Sequence, residues 1–100
     1  MLNSIGLQNP GIDRVIDEDL PALKDIYQGP LIINISGFSI SEFAEVASKL
    51  DASGYADILE VNISCPNVEH GGSAFGADPS MAERITRAVR DVTKLPIFMK

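Results

Sequence analysis

Segments with the pattern of β-strands alternate with segments that have the pattern of amphipathic helices along most of this sequence. The run at 31–36 is apolar and rich in β-branched residues, which predicts a strand, and two further strands are predicted at 57–62 and 96–100. Residues 12–26 are predicted to be helical, with a break or a restart at Pro21. Strand, helix, strand, helix, strand is typical of parallel sheets with right-handed crossovers. The sequence therefore predicts an α/β fold, either a doubly wound sheet or a (β/α) barrel.

Two helices between the strands carry their own start signals. Ser39 followed by Glu42 predicts a capping box at the start of a helix over about 40–53. Asp78 before Pro79 predicts an N-cap with proline in the first turn of the next helix. Apolar residues at helical spacing predict the buried stripes, which are Phe43, Val46, Ala47 and Leu50 in the first helix and Met81, Ile85, Ala88 and Val92 in the second.

One face of each predicted strand ends in polar residues, and this favours a barrel. A doubly wound sheet, covered by helices on both faces, is expected to be mostly apolar on both. Polar ends on one face fit a barrel interior with its polar atoms at the open mouth. A closed (β/α)8 TIM barrel needs eight units and ~250 residues, so we expect residues 1–100 to be a partial domain of about three strand–helix units, truncated at both ends. The residues that share this face are Ile32, Asn34 and Ser36, then Ile58, Glu60 and Asn62, then Phe98 and Lys100.

Composition and charge exclude some classes of partner. The formal net charge of −6 offers no basic field to a nucleic acid or an anionic membrane surface. No stretch approaches the ~20 apolar residues of a membrane span, and the N-terminus lacks a secretion pattern. The single cysteine cannot form an internal disulfide, which fits a reducing cytoplasm.

A long connection after the second predicted strand carries the residues best suited to chemistry. Residues 63–77 exceed the usual ~2–6 residues between strand and helix, and long loops at strand ends are usually functional. Asn62, Cys65 and Asn67 bring two amides and a thiol to one edge, suited to a planar polar ring. A lone cysteine is more often a small buried hydrophobe, however, so a purely packing role for Cys65 stays open. Asn62 is equally explained as support for the loop backbone, and Lys100 as a solvated strand end.

Three motifs in this sequence resemble successive signatures of the class I dihydroorotate dehydrogenases, and their order and spacing match as well. The strands that carry Asn34 and Lys100 fall where that family places flavin contacts, so the resemblance covers essentially the whole chain. The glycine pair at 71–72 and the following Phe75-Gly76 are more similar to the NAD-linked subclass, class IB, than to the fumarate-linked one. The motifs are Asn3-Ser4-Ile5-Gly6-Leu7-Gln8-Asn9-Pro10-Gly11, Asn62-Ile63-Ser64-Cys65-Pro66-Asn67 and Gly76-Ala77-Asp78-Pro79.

The resemblance implies a flavoprotein oxidoreductase that oxidises dihydroorotate to orotate in pyrimidine (UMP) biosynthesis, with hydride transfer to FMN. It implies that Cys65 is the catalytic base, which requires an accessible thiolate. Asn62 and Asn67 are expected to hydrogen-bond the pyrimidine ring, with Asn62 also near the flavin. Asn34 is expected to contact FMN, and Lys100 to stabilise the anionic reduced flavin. The implied substrate loop consists of Asn3, Ser4, Ile5, Gly6 and Leu7.

The resemblance also implies partners. It predicts a cytoplasmic homodimer, or a heterotetramer with an iron–sulfur and FAD subunit that passes electrons to NAD. Residues 1–100 lack the family's earlier substrate lysine and its later phosphate-binding glycine loops, so we expect them to be inactive alone.

Two alternatives remain. One is another FMN barrel acting on pyrimidines, of the dihydropyrimidine dehydrogenase or dihydrouridine synthase type. The other is a non-catalytic α/β piece in which Cys65 only packs. Asn67 and the loop from Asn3 to Leu7 favour the dihydroorotate enzyme.

Overall fold

The computed structural model describes residues 2–5, 11–64 and 78–100, with backbone only at 2–5. Its four strands form one parallel sheet in chain order, so the predicted α/β class is confirmed. The strands are β1 Leu2–Ile5, β2 Ile32–Ile35, β3 Ile58–Val61 and β4 Ile97–Met99. The helices are α1 Ile12–Arg14, a π-helical segment Val15–Asp19, α2 Leu20–Ile26, α3 Ile40–Ser53 and α4 Pro79–Val92.

Strand β1 was not predicted, because its residues were assigned to a substrate loop. The structure instead pairs Leu2–Ile5 with β2 in parallel register, from Leu2 beside Ile32 to Ile5 beside Ile35. A strand of four residues with two polar members has too few positions to reveal a period of two. The first part of the predicted loop is therefore strand, and Gly6 and Leu7 lie outside the described residues.

Helix α3 begins and ends where the local signals predicted. The backbone N–H of Glu42 donates to Ser39 Oγ at 3.3 Å, and Glu42 Oε2 accepts from the backbone N–H of Phe38 at 3.0 Å. In a capping box the Glu42 side chain would accept from the N–H of the cap residue, Ser39. Here it accepts from the N–H of Phe38, the residue before the cap. Gly54 ends the helix with a φ of 75°, a left-handed conformation that glycine adopts without steric cost. The predicted stripe of Phe43, Val46, Ala47 and Leu50 is buried.

Helix α4 has the predicted cap but a slightly different buried stripe. Asp78 Oδ1 accepts from the backbone N–H of Ser80 at 2.9 Å. Met81 and Ile85 are buried as predicted, but the third buried position is Val89, whereas Ala88 and Val92 are only half-buried. The buried positions recur every four residues, and the larger Val89, not its small neighbour Ala88, belongs to the hydrophobic core.

The stretch from Ile12 to Ile26 is helical throughout, without the interruption predicted at Pro21. Its middle is a π-helical segment in which the N–H of Leu20 bonds to the carbonyl of Val15, five residues back. Proline lacks an N–H and its ring would clash with the carbonyl four residues earlier, that of Asp17. The wider π turn before Pro21 accommodates the ring while the helix continues.

All the helices contribute to one hydrophobic core on one side of the sheet. Buried residues of every helical stretch join the odd-numbered strand residues in a single cluster. The opposite side, here called the even-numbered face, carries Ile32, Asn34, Ile58, Glu60 and Phe98, which lie outside that cluster. None of the helices in the described part of the chain is long and apolar enough to cross a membrane. The strand residues of the core are Ile33, Ile35, Leu59 and Val61.

Candidate functional site

Polar side chains meet on the even-numbered face near the carboxyl ends of β2, β3 and β4. The register sets Asn34 beside Glu60 and Glu60 beside Phe98. Pairing continues past the end of β4, because the backbone N–H of Lys100 donates to the carbonyl of Val61 at 2.9 Å. Three adjacent strands therefore bring an amide, a carboxylate and an ammonium group to one edge of the sheet, as their shared face predicted.

Glu60 is the centre of this group. Asn34 Nδ2 donates to Glu60 Oε1 at 2.6 Å, and Lys100 Nζ lies 3.6 Å from the same oxygen. Asn34 is only 6% exposed, and a buried amide donor without an acceptor costs about 1–3 kcal/mol. The carboxylate supplies that acceptor in a charge-assisted bond, which is stronger than a neutral one. We call these three residues the Asn34–Glu60–Lys100 cluster.

The three residues of the cluster differ in exposure, from the buried Asn34 to the exposed Lys100. The side chain of Glu60 is 22% exposed and that of Lys100 is 67% exposed. The ion pair is therefore largely solvated at the lysine, where it adds little to stability. The ammonium group lies on the even-numbered face beside the carboxylate of Glu60.

Alternation along the strand put Glu60 on this face, but no role was predicted for it. Its signal was an acidic residue inside an otherwise apolar strand, between two residues expected to contact flavin. Side-chain geometry was needed to identify it, because the hydrogen bond to Asn34 joins residues 26 positions apart.

Asn62 forms a turn at the end of β3. Its backbone N–H donates to the carbonyl of Ile35 at 2.9 Å, which continues the ladder between β2 and β3. Its side-chain Oδ1 accepts from the backbone N–H of Ser64 at 3.0 Å and also from Ser64 Oγ. This is an Asx turn, so the support for loop backbone considered from the sequence is present. The amide oxygen fixes the backbone that leads directly to position 65.

The remaining predicted site residues divide into two sets. Asn3, Ser4 and Ile5 belong to β1, where Ser4 is the register partner of Asn34, so this strand borders the cluster. Gly6, Leu7, Cys65 and Asn67 lie outside the described residues. The roles expected for both sets remain predictions.

A parallel sheet in chain order, with polar side chains gathered at the carboxyl ends of its strands, defines an α/β protein of the kind that binds ligands at that edge. Comparison with known proteins identifies the family. The model of the family described as "Dihydroorotate dehydrogenase" matches residues 1–100. The chain belongs to the dihydroorotate dehydrogenase family, and the resemblance found in its motifs is confirmed.

Curated relatives agree on the subclass. The chain is 50% identical over 100 residues to the "Dihydroorotate dehydrogenase B (NAD(+)), catalytic subunit" of Alkaliphilus metalliredigens and covers 32% of that protein. Proteins with the same name from Anoxybacillus flavithermus and Listeria welshimeri are 48% and 46% identical over 100 residues, with 32% and 33% of their lengths covered. The whole chain is matched in each case, and it spans about a third of the length of these relatives.

Proposed function

We propose that the protein containing this chain oxidises dihydroorotate to orotate in pyrimidine (UMP) biosynthesis, with FMN bound at the mouth of a (β/α)8 barrel. The observation that carries the proposal is the Asn34–Glu60–Lys100 cluster at the carboxyl edge of the sheet, in a chain that belongs to the dihydroorotate dehydrogenase family.

Residues 1–100 form part of that barrel in this proposal. Two features support a barrel over a doubly wound sheet. The strands follow one another in chain order, without the reversal that marks a doubly wound sheet. The buried residues of the helical stretches share one core on one side of the sheet, as the outer ring of a barrel requires. The even-numbered face then becomes the barrel interior.

The chemistry of the cluster fits FMN. The pyrimidine edge of a flavin presents carbonyl oxygens and ring nitrogens, and an amide with an ammonium group is a matching set of partners. Lys100, beside Glu60 on the even-numbered face, places a positive charge where negative charge develops on reduction. FMN, when bound, supplies the hydride acceptor. Asn34 and Lys100 would hold its ring, together with Asn62.

The remaining proposed roles belong to residues around the substrate. Cys65 removes a proton from the ring carbon beside the one that bears the carboxylate, acting as a base through its sulfur. Asn62 and Asn67 hydrogen-bond the pyrimidine ring. The segment from Asn3 to Leu7 meets the anionic carboxylate through backbone amides. The Asx turn between Asn62 and Ser64 supports this arrangement, because it orders the backbone immediately before Cys65.

The electron acceptor and the assembly are part of the proposal. The relatives' printed names include "NAD(+)" and "catalytic subunit", which supports NAD as the final acceptor and a second subunit that carries electrons to it. We propose a cytoplasmic homodimer of catalytic subunits, joined by an iron–sulfur and FAD subunit into a heterotetramer.

The test is a Cys65→Ser variant of the complete protein. We expect the variant to remain yellow with bound FMN, while reduction of its flavin by dihydroorotate at neutral pH slows by about 10²- to 10⁴-fold, because a hydroxyl is a far weaker base. Anaerobic stopped-flow absorbance measures the rate. Partial recovery at high pH in the serine variant, but not in Cys65→Ala, would identify the lost group as a base.

Two outcomes contradict the proposal. Unchanged reduction in Cys65→Ser removes the cysteine from the mechanism. A wild-type flavin that dihydrouracil reduces and dihydroorotate does not would assign the protein to another class of pyrimidine-reducing barrel.

A further inference from the structure

We infer that Glu60 is a positioning residue of the flavin site, which orients the amide of Asn34 and offsets the charge of Lys100. This inference rests on the proposed function, because it concerns the same site. It adds Glu60 to Asn34, Asn62 and Lys100, the residues that were expected to contact the flavin.

The backbone holds Glu60 firmly in place. Strand β3 pairs with β2 on one side and β4 on the other, so Glu60 has a register partner on each side, Asn34 and Phe98. Its side chain is 22% exposed. One oxygen, Oε1, serves both neighbours, at 2.6 Å from Asn34 Nδ2 and 3.6 Å from Lys100 Nζ. A change at this oxygen therefore affects both groups together.

Glu60 selects the orientation of the Asn34 amide. An ionised carboxylate only accepts hydrogen bonds, so it contacts the NH₂ end of the amide and directs the carbonyl end away. Asn34 is 6% exposed, where reversing the amide would set its oxygen against the carboxylate. A side chain with no acceptor at position 60 would remove this bond and, with it, the preference that the carboxylate gives to this orientation of the amide.

Glu60 also sets the field that a flavin beside Lys100 experiences. An isolated ammonium group would strongly favour every anionic form of the flavin. A carboxylate oxygen 3.6 Å away offsets part of that field, because the two charges are opposite and lie close together. Removing only the negative charge of Glu60 should therefore stabilise the anionic forms of the flavin. A general loss of structure would instead weaken flavin binding.

The experiment uses the complete protein with FMN and three single variants. Glu60→Gln removes the charge but keeps an oxygen that accepts from Asn34. Glu60→Ala removes both the charge and the oxygen that accepts from Asn34. Asp57→Asn is the matched control, because it makes the same charge change at the other end of β3, where Asp57 accepts from the backbone N–H of Leu31 at 2.7 Å. Sulfite is the probe, since it adds to oxidised flavin and leaves negative charge on the ring.

We expect Glu60→Gln to bind sulfite about fivefold more tightly, or better, with a positive shift in the flavin midpoint potential and FMN affinity within about threefold of wild type. Glu60→Ala should also lose about tenfold in FMN affinity, because the bond from the Asn34 amide to the carboxylate is lost. Asp57→Asn should match wild type in all three measurements.

Several results overturn the inference. If sulfite affinity and midpoint potential stay unchanged or fall in Glu60→Gln, Glu60 does not act on the flavin through its charge. Equal FMN affinity in Glu60→Ala and Glu60→Gln removes the orienting role. If wild type is yellow and is reduced by dihydroorotate while all variants match it, only the role of Glu60 fails. A wild-type protein without flavin would refute the proposed function as well.

Discussion

Replacing Asn62 with aspartate separates its structural role from its proposed role toward the ligand. Asn62 Oδ1 accepts from the backbone N–H and the hydroxyl of Ser64. Aspartate retains that oxygen and the shape of the side chain, so the turn can form as before. The change converts the NH₂ donor into a second acceptor and adds a negative charge. The Asn62→Asp variant should therefore fold normally and bind ligands poorly.

The expected effect on stability is small. A negative charge at position 62 strengthens the two bonds from Ser64 by some tenths of a kcal/mol. It also lies two residues from Glu60 on the same face of the strand, roughly 7 Å away. Two like charges at that separation repel by about 0.6 kcal/mol in a water-like dielectric. Because these contributions oppose each other, the free energy of unfolding should change by less than about 1 kcal/mol.

The expected effect on catalysis is much larger. Dihydroorotate is an anion, and the proposed contact of Asn62 with its ring loses a donor and gains a repulsion. Loss of a hydrogen bond in a desolvated site costs about 1–3 kcal/mol, so a total of at least about 2 kcal/mol, or ~30-fold in kcat/KM, is expected. Anaerobic reduction of the flavin by dihydroorotate measures this loss, and thermal unfolding measures stability.

Ser64→Ala provides the control, since it removes the hydroxyl donor and leaves the backbone N–H of Ser64 bonded to Asn62. We expect its kcat/KM to stay within about threefold of wild type. Wild-type kcat/KM in Asn62→Asp would rule out the proposed contact of Asn62 with the substrate. An equal loss in Ser64→Ala would also rule it out, because the turn itself would then account for the whole effect.

Two further predictions concern the helical layer. Gly54→Ala should lower the free energy of unfolding by about 1 kcal/mol, because residue 54 has a φ of 75° and an added Cβ meets no atom within 4 Å; urea unfolding measures this, and an unchanged midpoint would contradict it. A hydrogen bond from Lys49 to Asp13, against some desolvation and with further attraction from Asp13 and Glu45, raises the pKa of Lys49 above 10.5. A lysine whose pKa is raised by folding contributes stability that is fully present below pH 10.5. That stability is lost as the pH rises through the pKa of the folded state. Asp13→Asn should therefore flatten the decline in stability above pH 10.5, and an unaltered slope would show that the pair contributes nothing.

Local signals predicted the helices well because caps act over a few residues. Ser39 and Asp78 each bond to a backbone N–H no more than three positions away, so the sequence contains both partners. The π-helical segment before Pro21 was missed because the pattern shows that a proline disturbs a helix but does not show how the helix adjusts. Strand β1 was missed because its stability comes from pairing with β2, about 30 positions along the chain.

The candidate site was predicted in part for the same reason. Alternation along each strand correctly put Asn34, Glu60 and Lys100 on one face. The relative shift of the strands decides which of these residues touch, and the sequence pattern does not give that shift. In that register Asn34 donates a hydrogen bond to Glu60 and Lys100 forms an ion pair with it, so Glu60 is the centre of the group.

The position of Glu60 runs against the preferences of the fold, and this is itself an argument for function. A central strand between two parallel neighbours favours β-branched and aromatic residues, and an apolar side chain there would cost no desolvation. Glu60 instead holds a carboxylate that is 22% exposed, and the amide of Asn34, which is 6% exposed, donates a hydrogen bond to it. An apolar residue at each position would remove both polar groups at little cost to stability. Places where a sequence departs from such local rules are expected at functional sites, and here the departure lies at the edge of the sheet where ligands bind.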